Sequence, residues 1–441
     1  MNDFSQKKNR LDNYFGLSKN NTNVKTEVVA GITTFMTMAY ILIVNPSILS
    51  STGMDSGAVF TATALSAVVA TLIMGLYAKL PFAQAPGMGL NAFFAYTVVI
   101  GMGYSFEFAL TAVFLEGLIF ILLTAFNVRE AIVDSIPDNI KKAISVGIGL
   151  FIALVGLQNA GVIVHPEDNG TILALGNITS GEGLLAIIGI LITGVLLARK
   201  VKGALFIGMI ITAIIGIPMG VTPMPGSIVS MPPSISSVFM KFEWHNIFSL
   251  DMFIVLFTLL FMDMFDTIGT LVGVATKANM LDKDGKVPNI KKALLADAVG
   301  TTVGACLGTS TVSTFVESAS GVAEGGRTGL TAVSTAFMFF LALFLSPIFG
   351  VITSAVTASV LVIVGLFMIE NIKELDLEDY TEAIPAFLTI IMMPFSYSIS
   401  DGIVFGVVSY IFLKLFTGKW KEISWGTVAV GIVFVLKFVF I

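Results

Sequence analysis

The chain has 441 residues, of which 56% are hydrophobic and only 12% are charged, and its mean hydropathy is +0.93. A soluble domain is about 45–50% apolar, so this composition excludes an ordinary soluble protein and predicts an integral membrane protein. The single cysteine, Cys306, excludes an intrachain disulfide and a cysteine-based metal cluster. The net charge of −5 excludes little, because in a membrane protein the position of each charge is more informative than the sum.

Apolar runs separated by short polar breaks cover almost the whole chain and predict an all-α protein that crosses the membrane about fourteen times, with about 20 residues per helix. In chain order the predicted spans are 28–49, 57–78, 88–100, 107–126, 140–160, 183–198, 203–219, 250–273, 291–308, 315–323, 328–347, 351–370, 382–397 and 401–416. Residues 1–27 read as a cytoplasmic segment. The end of the chain, 418–441, is again apolar, and whether its residues 424–441 span the membrane or lie along the bundle stays open.

The basic residues support this number of spans. Lys and Arg collect in the cytoplasmic loops of membrane proteins. If the chain begins in the cytoplasm and has these spans, every Lys and Arg except Lys241 and Lys437 falls on the cytoplasmic side. One span too many or too few would scatter the basic residues over both sides. We therefore expect a multi-pass protein of the cell (plasma) membrane with a cytoplasmic N-terminus.

Spans three and ten are short and interrupted. Pro86 and Gly87 break span three, and the polar sequence GTSTVSTFVES leads into span ten. Unwound backbone at membrane depth is tolerated where it lines a cavity, and a pair of broken segments in the two halves of a chain indicates the binding site of a transporter. The sequence therefore predicts that the two broken spans form a substrate site.

Weak sequence matches relate the two halves of the chain. ALSAVVATLIMG at 64 and ALLADAVGTTVG at 293 precede the two breaks, and GLF recurs at Gly149 and Gly365. If each half has seven spans, an odd number, the second half must enter the membrane from the opposite side. We therefore expect seven-plus-seven inverted repeats, with the broken spans meeting near the middle of the membrane.

Carboxylate and amide side chains inside the predicted spans mark the candidate site. A charge at the centre of a bilayer costs roughly 2.5–3.5 kcal/mol, so an intramembrane carboxylate is a functional candidate. Asp263 and Asp266 lie one turn apart in span eight, Glu317 lies in span ten, and Asn91 follows the break of span three. Apolar surroundings disfavour a charged carboxylate, so we predict that Asp266, Glu317 or Asp263 carries a coupling proton. A structural role for Asp263, bonding a neighbouring span, is the alternative.

These side chains predict a flat, nitrogen-rich ligand. A carboxylate pairs with adjacent N–H donors such as those on the edge of guanine or hypoxanthine, and an amide offers both a donor and an acceptor. Aromatic rings within reach are expected to stack on the ligand. The further candidates are Phe35, Phe93, Phe94, Phe265, Thr314 and Phe315, with Thr34 and Tyr40 approaching from span one. For the span-one residues, packing is the alternative.

The other intramembrane or near-membrane polar residues receive structural interpretations. Glu116, Asp297 and Lys414 read as helix-packing charges, Arg327 and Glu324 as anchors of the cytoplasmic end of span ten, and His165 and His245 as loop residues. We expect no metal, no cofactor and no nucleic-acid partner.

Three motifs carry a family resemblance. GMGLNAFFAYT, MDMFDTIGTL and STVSTFVESASGVAEGGRTGL resemble the AzgA-like branch of the nucleobase:cation symporter-2 (nucleobase–ascorbate transporter) family, and the similarity extends over the chain beyond residue 20. The resemblance implies a permease for guanine and hypoxanthine, or for adenine, that works by proton symport. It also implies a core domain (28–135 and 250–349) that moves like an elevator against a gate domain (136–225 and 350–417), often in a homodimer.

The resemblance also assigns roles to individual residues. Asp266 matches the acidic position of span eight, Glu317 the base-binding glutamate of span ten, and Asn91 the polar position at the break of span three. Uracil and xanthine transporters of the family generally have glutamate where this chain has Asp266, and some relatives have histidine where it has Thr270. Proton coupling in this chain is therefore expected to rest on carboxylates.

Two other functions compete with a purine:proton symporter. An anion exchanger of similar seven-plus-seven architecture would favour helix N-termini and a cationic residue at the site, and Asp266 and Glu317 argue against it. A membrane-embedded enzyme would need a nucleophile with its base or a metal-ligand cluster, for which two loop histidines and one cysteine leave little material. The sequence leaves open which purine is preferred, the coupling ion and its stoichiometry, and the oligomeric state.

Overall fold

The computed structural model describes residues 11–125, 137–165, 172–277, 280–281, 287–428 and 431–432, and helices make up most of them. The first helices are α1 (Val24–Met38), α2 (Ile41–Ser50), α3 (Ser56–Ile73, continued as a π-helix over Met74–Ala78), α4 (Met88–Ala92, continued as a π-helix over Phe93–Gly101) and α5 (Phe106–Ala125). They are followed by α6 (Asp138–Asn159), α7 (Gly181–Ala198) and α8 (Ala204–Gly216).

The second half of the chain also consists mostly of helices. Its helices are α9 (Leu250–Lys277), α10 (Ile290–Leu307), α11 (Ser318–Ala323), α12 (Gly329–Ala342), α13 (Ser346–Phe349), α14 (Ser354–Ile369), α15 (Tyr380–Ser396) and α16 (Ile399–Phe416). The strands are β1 (Gln84–Pro86), β2 (Ile163–Val164), β3 (Ala174–Leu175) and β4 (Val312–Thr314), and they form two antiparallel pairs, β1 with β4 and β2 with β3.

Eight helical stretches of the described chain are long and apolar enough to cross a membrane, and the shorter helices Met88–Gly101 and Ala204–Gly216 are also apolar. A helix overlaps each of the predicted spans. The prediction of an all-α polytopic protein is therefore confirmed at this level. The predicted boundary at 135/136 and most of the undecided segment 424–441 lie outside the described residues.

Span one differs from the prediction, because it is two helices rather than one. α1 and α2 are separated by the turn Ala39–Tyr40, where the N–H of Leu42 donates to the carbonyl of Ala39 at 3.1 Å, three residues back instead of four. Pro46, inside α2, has no N–H for the carbonyl of Leu42, which weakens the helix just beyond this turn. The turn places Tyr40 at the level of the two broken spans.

The two broken spans meet, as predicted, through strands β1 and β4. In this antiparallel pair Gln84 lies opposite Thr314, Ala85 opposite Ser313, and Pro86 opposite Val312. Backbone hydrogen bonds extend the pair, from the N–H of Gly87 to the carbonyl of Thr311 at 3.0 Å and from Phe315 to Ala83 at 3.0 Å. α4 begins directly after β1, and α11 begins four residues after β4. The backbone polar groups of the two breaks therefore satisfy each other.

The helices pack in two groups. α1–α5 pack against α9–α12, with α12 on α1 and α3, and α10 on α3 and α5. α6–α8 pack against α14–α16, with α14 on α6 and α7, and α15 on α6 and α16. The contacts between the groups include α2 with α14 and α1 with α8. Strands β1 and β4 lie inside the first group, against α3, α9 and α10.

The charges assigned to packing are buried and paired. Glu116, on α5, is fully buried and accepts a hydrogen bond from the hydroxyl of Thr311 at 2.5 Å. Lys414, on α16, is 1% exposed and pairs with Glu382 at 2.8 Å and with Glu422 at 2.5 Å. Lys414 thus joins α16 to α15, as expected for a packing charge, whereas Glu116 joins α5 to the break of span ten just before β4.

A buried glutamate joins the beginnings of α1 and α12. Glu27 accepts hydrogen bonds from the N–H of Arg327 at 2.9 Å and from the hydroxyls of Thr328 and Thr331 at 2.9 and 2.6 Å. It thereby caps the N-terminus of α12. The guanidinium of Arg327 donates to the carbonyl of Val322 at 2.6 Å, so this arginine holds the end of α11.

Candidate functional site

Asp266 faces the broken spans from the side of α9. The hydroxyl of Ser313, on β4, donates to its Oδ2 at 2.8 Å. Gly87 lies next to this contact. A Cβ at Gly87 would be 3.4 Å from the same Oδ2 and 2.6 Å from the Ser313 hydroxyl. Asp266 nevertheless has accessible surface, although it lies deep among the helices, so it lines an internal space.

Glu317 approaches the same place from the start of α11. The hydroxyl of Tyr40 donates to its Oε1 at 2.5 Å, and the residue is half-buried. Both Glu317 and Tyr40 lie within electrostatic range of Asp266. The structure thus places both carboxylates that the sequence singled out near β4, with Asp266 bonded to Ser313 on the strand and Glu317 three residues after its end.

Asn91, the third predicted polar residue, is fully buried on α4. Its Oδ1 accepts a hydrogen bond from the hydroxyl of Ser310, two residues before β4. Its Nδ2 has no hydrogen-bond partner among the described residues. An unpaired buried amide nitrogen is costly, so this nitrogen is a donor in need of an acceptor.

The predicted aromatic residues have different surroundings. Phe315 is 5% exposed, and its ring centroid lies 6.5 Å from that of Tyr40, the residue whose hydroxyl is bonded to Glu317. Phe35 instead packs edge to face on Phe339, with the ring centroids 5.1 Å apart. Phe93 and Phe94 are both 1% exposed. The side chain of Phe265 lies outside the described residues. Phe315 is therefore the predicted aromatic residue that the described contacts connect to Glu317.

Asp263 lies among different residues from those that surround Asp266. It is fully buried, and the hydroxyl of Thr267 lies 3.3 Å from its Oδ1 and 2.8 Å from Oδ1 of Asp297. The amide nitrogen of Gln84 also approaches Asp297, at 3.3 Å, and reaches the hydroxyl of Thr314 at 3.2 Å. Asp263 thus belongs to a buried polar network that connects α9 and α10 with the paired strands, and predicted residue Thr314 belongs to it too.

The sequence indicated no site role for Gln84, Gly87 or Ser313, and it left Tyr40 undecided between the site and packing. A signal existed for three of them. The sequence QAPGMG places an amide and two glycines at the break of span three, and STVST supplies hydroxyls at the break of span ten. For Tyr40 the apolar run TMAYILIV carried no sign of the turn that directs its hydroxyl to Glu317.

Two solved transporters, a bicarbonate transporter and the anion transporter SLC26A9, have a similar fold. The transmembrane domain of a cyanobacterial bicarbonate transporter, BicA, superposes with a TM-score of 0.65 at 16% identity, covering 87% of this chain and 97% of that domain. SLC26A9 superposes with a TM-score of 0.64 at 11% identity, covering 95% of this chain and 70% of the other. At these identities the similarity shows the fold alone.

Sequence comparisons identify the family. Residues 25–405 match the Xan_ur_permease model, which describes a permease family. The putative permease MJ0326 of Methanocaldococcus jannaschii is 50% identical, over 98% of both chains. The guanine/hypoxanthine permease PbuG of Bacillus subtilis is 44% identical, over 98% of this chain and 100% of its own. The adenine permease AdeP of Escherichia coli is 43% identical, over 98% of this chain and 96% of its own.

The family model and the names of these relatives describe permeases, so the protein is a transporter and not an enzyme. Its apolar helices make it a multi-pass membrane protein. The chain belongs to the nucleobase:cation symporter-2 family of permeases, and its relatives include guanine/hypoxanthine and adenine permeases.

Proposed function

We propose that the protein takes up purine nucleobases across the cell membrane by proton symport, with guanine and hypoxanthine as the main substrates and adenine as a further candidate. The observation that carries this proposal is the placement of Asp266 and Glu317 next to β4, within electrostatic range of each other. The permeases that are 43–44% identical support the class of substrate, since they carry guanine, hypoxanthine or adenine.

The chemistry of the site suits a purine edge. Asp266 and Glu317 each have one oxygen bonded to a hydroxyl and a second oxygen that can accept an N–H group of the base. The free amide nitrogen of Asn91 can donate to a carbonyl or ring nitrogen. Phe315 supplies an aromatic face next to Glu317. Together these groups match the donors, acceptors and flat shape of an oxopurine.

The coupling proton is assigned to the carboxylates. Asp266 and Glu317 lie within electrostatic range of each other, and binding one proton relieves the repulsion between them. Asp263 is a further candidate, because Thr267 bridges it to Asp297 in the buried network. A proton bound on either pair would travel with the base, which makes the transport electrogenic for a neutral purine.

Fourteen spans in two inverted seven-span repeats are the architecture that the helix contacts support. In an inverted repeat each helix of one half has a counterpart in the other half, so a contact between two helices has an equivalent contact between their two counterparts. The contact of α1 with α12 then corresponds to that of α9 with α5, and α3 with α12 to α10 with α5. In the other group, α7 with α8 corresponds to α15 with α16, and α6 with α15 to α14 with α7. The pairs α3–α10, α6–α14 and β1–β4 map on themselves.

The two groups of helices are proposed as a core domain (28–135 and 250–349) and a gate domain (136–225 and 350–417). Both carboxylates belong to the core, so an elevator movement of the core would carry the bound base past the gate. The distribution of the basic residues supports an orientation in the membrane with the N-terminus in the cytoplasm. A homodimer, in which the gate domains would stay fixed, is part of the proposal.

Anion exchange is the alternative that the shared fold raises. A bicarbonate or chloride ion would meet the carboxylates of Asp266 and Glu317 at the crossing of the broken spans. Two negative charges there repel an anion, whereas they attract the N–H edge of a purine. The site therefore favours the nucleobase.

Uptake of labelled hypoxanthine tests the proposal, in cells that lack their own purine permeases. We expect guanine to compete strongly with the label, adenine to compete less, and uracil to compete hardly at all. Glu317→Gln should abolish uptake at unchanged abundance in the membrane, whereas Glu182→Gln, at an exposed glutamate of α7, should leave it intact. Robust hypoxanthine uptake by the Glu317→Gln protein would refute the assignment. It would also be refuted if cells with the wild-type protein took up bicarbonate but no purine.

A further inference from the structure

Tyr40 is buried but makes a polar contact that packing does not require. It is 2% exposed, lies in the turn between α1 and α2, and donates its hydroxyl proton to Oε1 of Glu317 at 2.5 Å. The same helix end also reaches the backbone of Glu317, whose carbonyl lies 3.5 Å from the hydroxyl of Thr37. Span one thus holds Glu317 at both its side chain and its backbone.

The hydrogen bond restricts the direction of the carboxylate. A glutamate side chain has several rotatable bonds, and a carboxylate without a partner samples many orientations. With Oε1 bonded to Tyr40, the carboxylate loses part of this freedom, because Oε2 can take only positions around the held oxygen. A hydrogen bond to an ionised acceptor is also stronger than one between neutral groups, so the contact is suited to hold it.

Tyr40 is a poor candidate for direct contact with a hydrogen-bond acceptor of the base. A tyrosine hydroxyl has a single proton, and Glu317 accepts it. Its ring lies beside that of Phe315, at a centroid distance of 6.5 Å. The one hydrogen bond that Tyr40 donates therefore goes to Glu317.

We propose that Tyr40 is a positioning residue of the base-binding site: it holds Oε1 of Glu317 so that Oε2 is presented to an N–H group of the purine. The proposal rests on the proposed function, since it needs Glu317 to bind the base. It assigns to the turn in span one the task of orienting the carboxylate before the substrate arrives. Pre-orientation of this kind lowers the entropy that binding must overcome.

The test is the initial rate of labelled hypoxanthine uptake by the Tyr40→Phe protein, which keeps the ring and loses only the hydroxyl. We expect KM to rise on the order of tenfold, as for loss of one hydrogen bond to a charged group, with the maximal rate per transporter unchanged. Tyr410→Phe is the matched control, because Tyr410 is 3% exposed and lies on α16, and it should leave KM unchanged. An unchanged KM for Tyr40→Phe would overturn the proposal, as would a loss confined to the maximal rate.

A second measurement asks whether Tyr40 acts through Glu317. Glu317→Asp shortens the side chain by one methylene and withdraws the carboxylate from the Tyr40 hydroxyl. If the hydroxyl works through Glu317, adding Tyr40→Phe to Glu317→Asp should raise the dissociation constant of hypoxanthine for the purified protein by less than about twofold. A full further tenfold rise would overturn the positioning role. If Glu317→Gln proves harmless to uptake, the proposed function itself fails, whatever Tyr40→Phe does.

Discussion

Gly149 and Gly365 contact each other reciprocally where α6 crosses α14. A Cβ on Gly149 would lie 2.6 Å from the carbonyl oxygen of Gly365, and a Cβ on Gly365 would lie 2.5 Å from that of Gly149. The two helices are therefore close enough that only glycine fits at either position. A contact that maps on itself when the two residues are exchanged is what a two-fold relation between repeats produces.

Alanine at position 149 should destabilise the protein. The added methyl group would also lie 2.9 Å from Cβ of Met368, so backbone and side chain both block it and the helices must separate. We expect Gly149→Ala to lower the free energy of unfolding by about 1–3 kcal/mol, measured by thermal denaturation of the purified protein in detergent. Gly194→Ala on α7, where a Cβ meets nothing within 4 Å, is the control. Equal stability of the two variants would contradict the close helix contact.

The recurring sequence GLF at 149 and 365 shows how far the sequence alone could lead. The repeated triplet indicated that these positions were equivalent, but it gave no sign that they touch. Contact depends on how the two halves fold against each other, which no local pattern records. The same holds for β1 and β4: the proline, the glycines and the hydroxyls predicted two breaks, whereas the register of Ala85 opposite Ser313 appeared in the structure.

The aspartates of α9 give a second example. Asp263 and Asp266 are three residues apart in one apolar run, and the sequence predicted a functional role for Asp266 but left Asp263 open between proton coupling and a structural role. A step of three residues turns a helix by about 300°, so the two side chains point only about 60° apart, and the neighbouring elements decide how much each of them is covered. Asp266 faces Ser313 and an open space, while Asp263 is fully buried near Thr267. Which of the two meets the cavity depends on the rotation of α9, and this rotation is set by its neighbours.

Substitution of these two aspartates should separate transport from stability. We expect Asp266→Asn to abolish hypoxanthine uptake with a nearly unchanged melting temperature, because Asp266 is exposed and an amide oxygen can still accept from Ser313. Asp263→Asn places two new donors in a fully buried network and should lower the free energy of unfolding by about 1–3 kcal/mol, with a smaller loss of uptake per folded transporter. The reverse order of uptake would move proton coupling to Asp263 and Asp297.

Gly87 should matter for the site rather than for the fold. A Cβ there would lie 2.6 Å from the Ser313 hydroxyl and 3.4 Å from Oδ2 of Asp266, so the hydroxyl must turn away from the carboxylate. We expect Gly87→Ala to lower the initial rate of hypoxanthine uptake on the order of tenfold, because it displaces a group that orients the site. Surface labelling should find the variant in the membrane at normal levels, as it should Gly194→Ala, whose uptake stays normal. Normal uptake by Gly87→Ala would remove the Ser313–Asp266 contact from the binding site.

The proton gradient should drive accumulation if the carboxylates carry the coupling ion. A neutral base that moves with one proton moves one charge, and one charge crossing 100 mV is worth about 2.3 kcal/mol, or roughly fiftyfold accumulation. In proteoliposomes, an inside-negative potential with an acidic exterior should therefore concentrate labelled hypoxanthine, and a protonophore should release it. Exchange of internal for external hypoxanthine should persist without the gradient, because exchange needs no net proton movement.

Sodium provides the decisive comparison. With equal pH on both sides and no membrane potential, an inward sodium gradient should fail to concentrate hypoxanthine, whereas a proton gradient of the same size should succeed. Asp266→Asn is informative in the same vesicles, because loss of proton-driven accumulation with retained exchange would assign the coupling proton to Asp266 itself. Accumulation driven by sodium, or accumulation that survives the protonophore, would refute proton symport while leaving the purine site in place. The coupling ion and the base can therefore be tested separately, although the same pair of carboxylates, Asp266 and Glu317, is proposed to serve both.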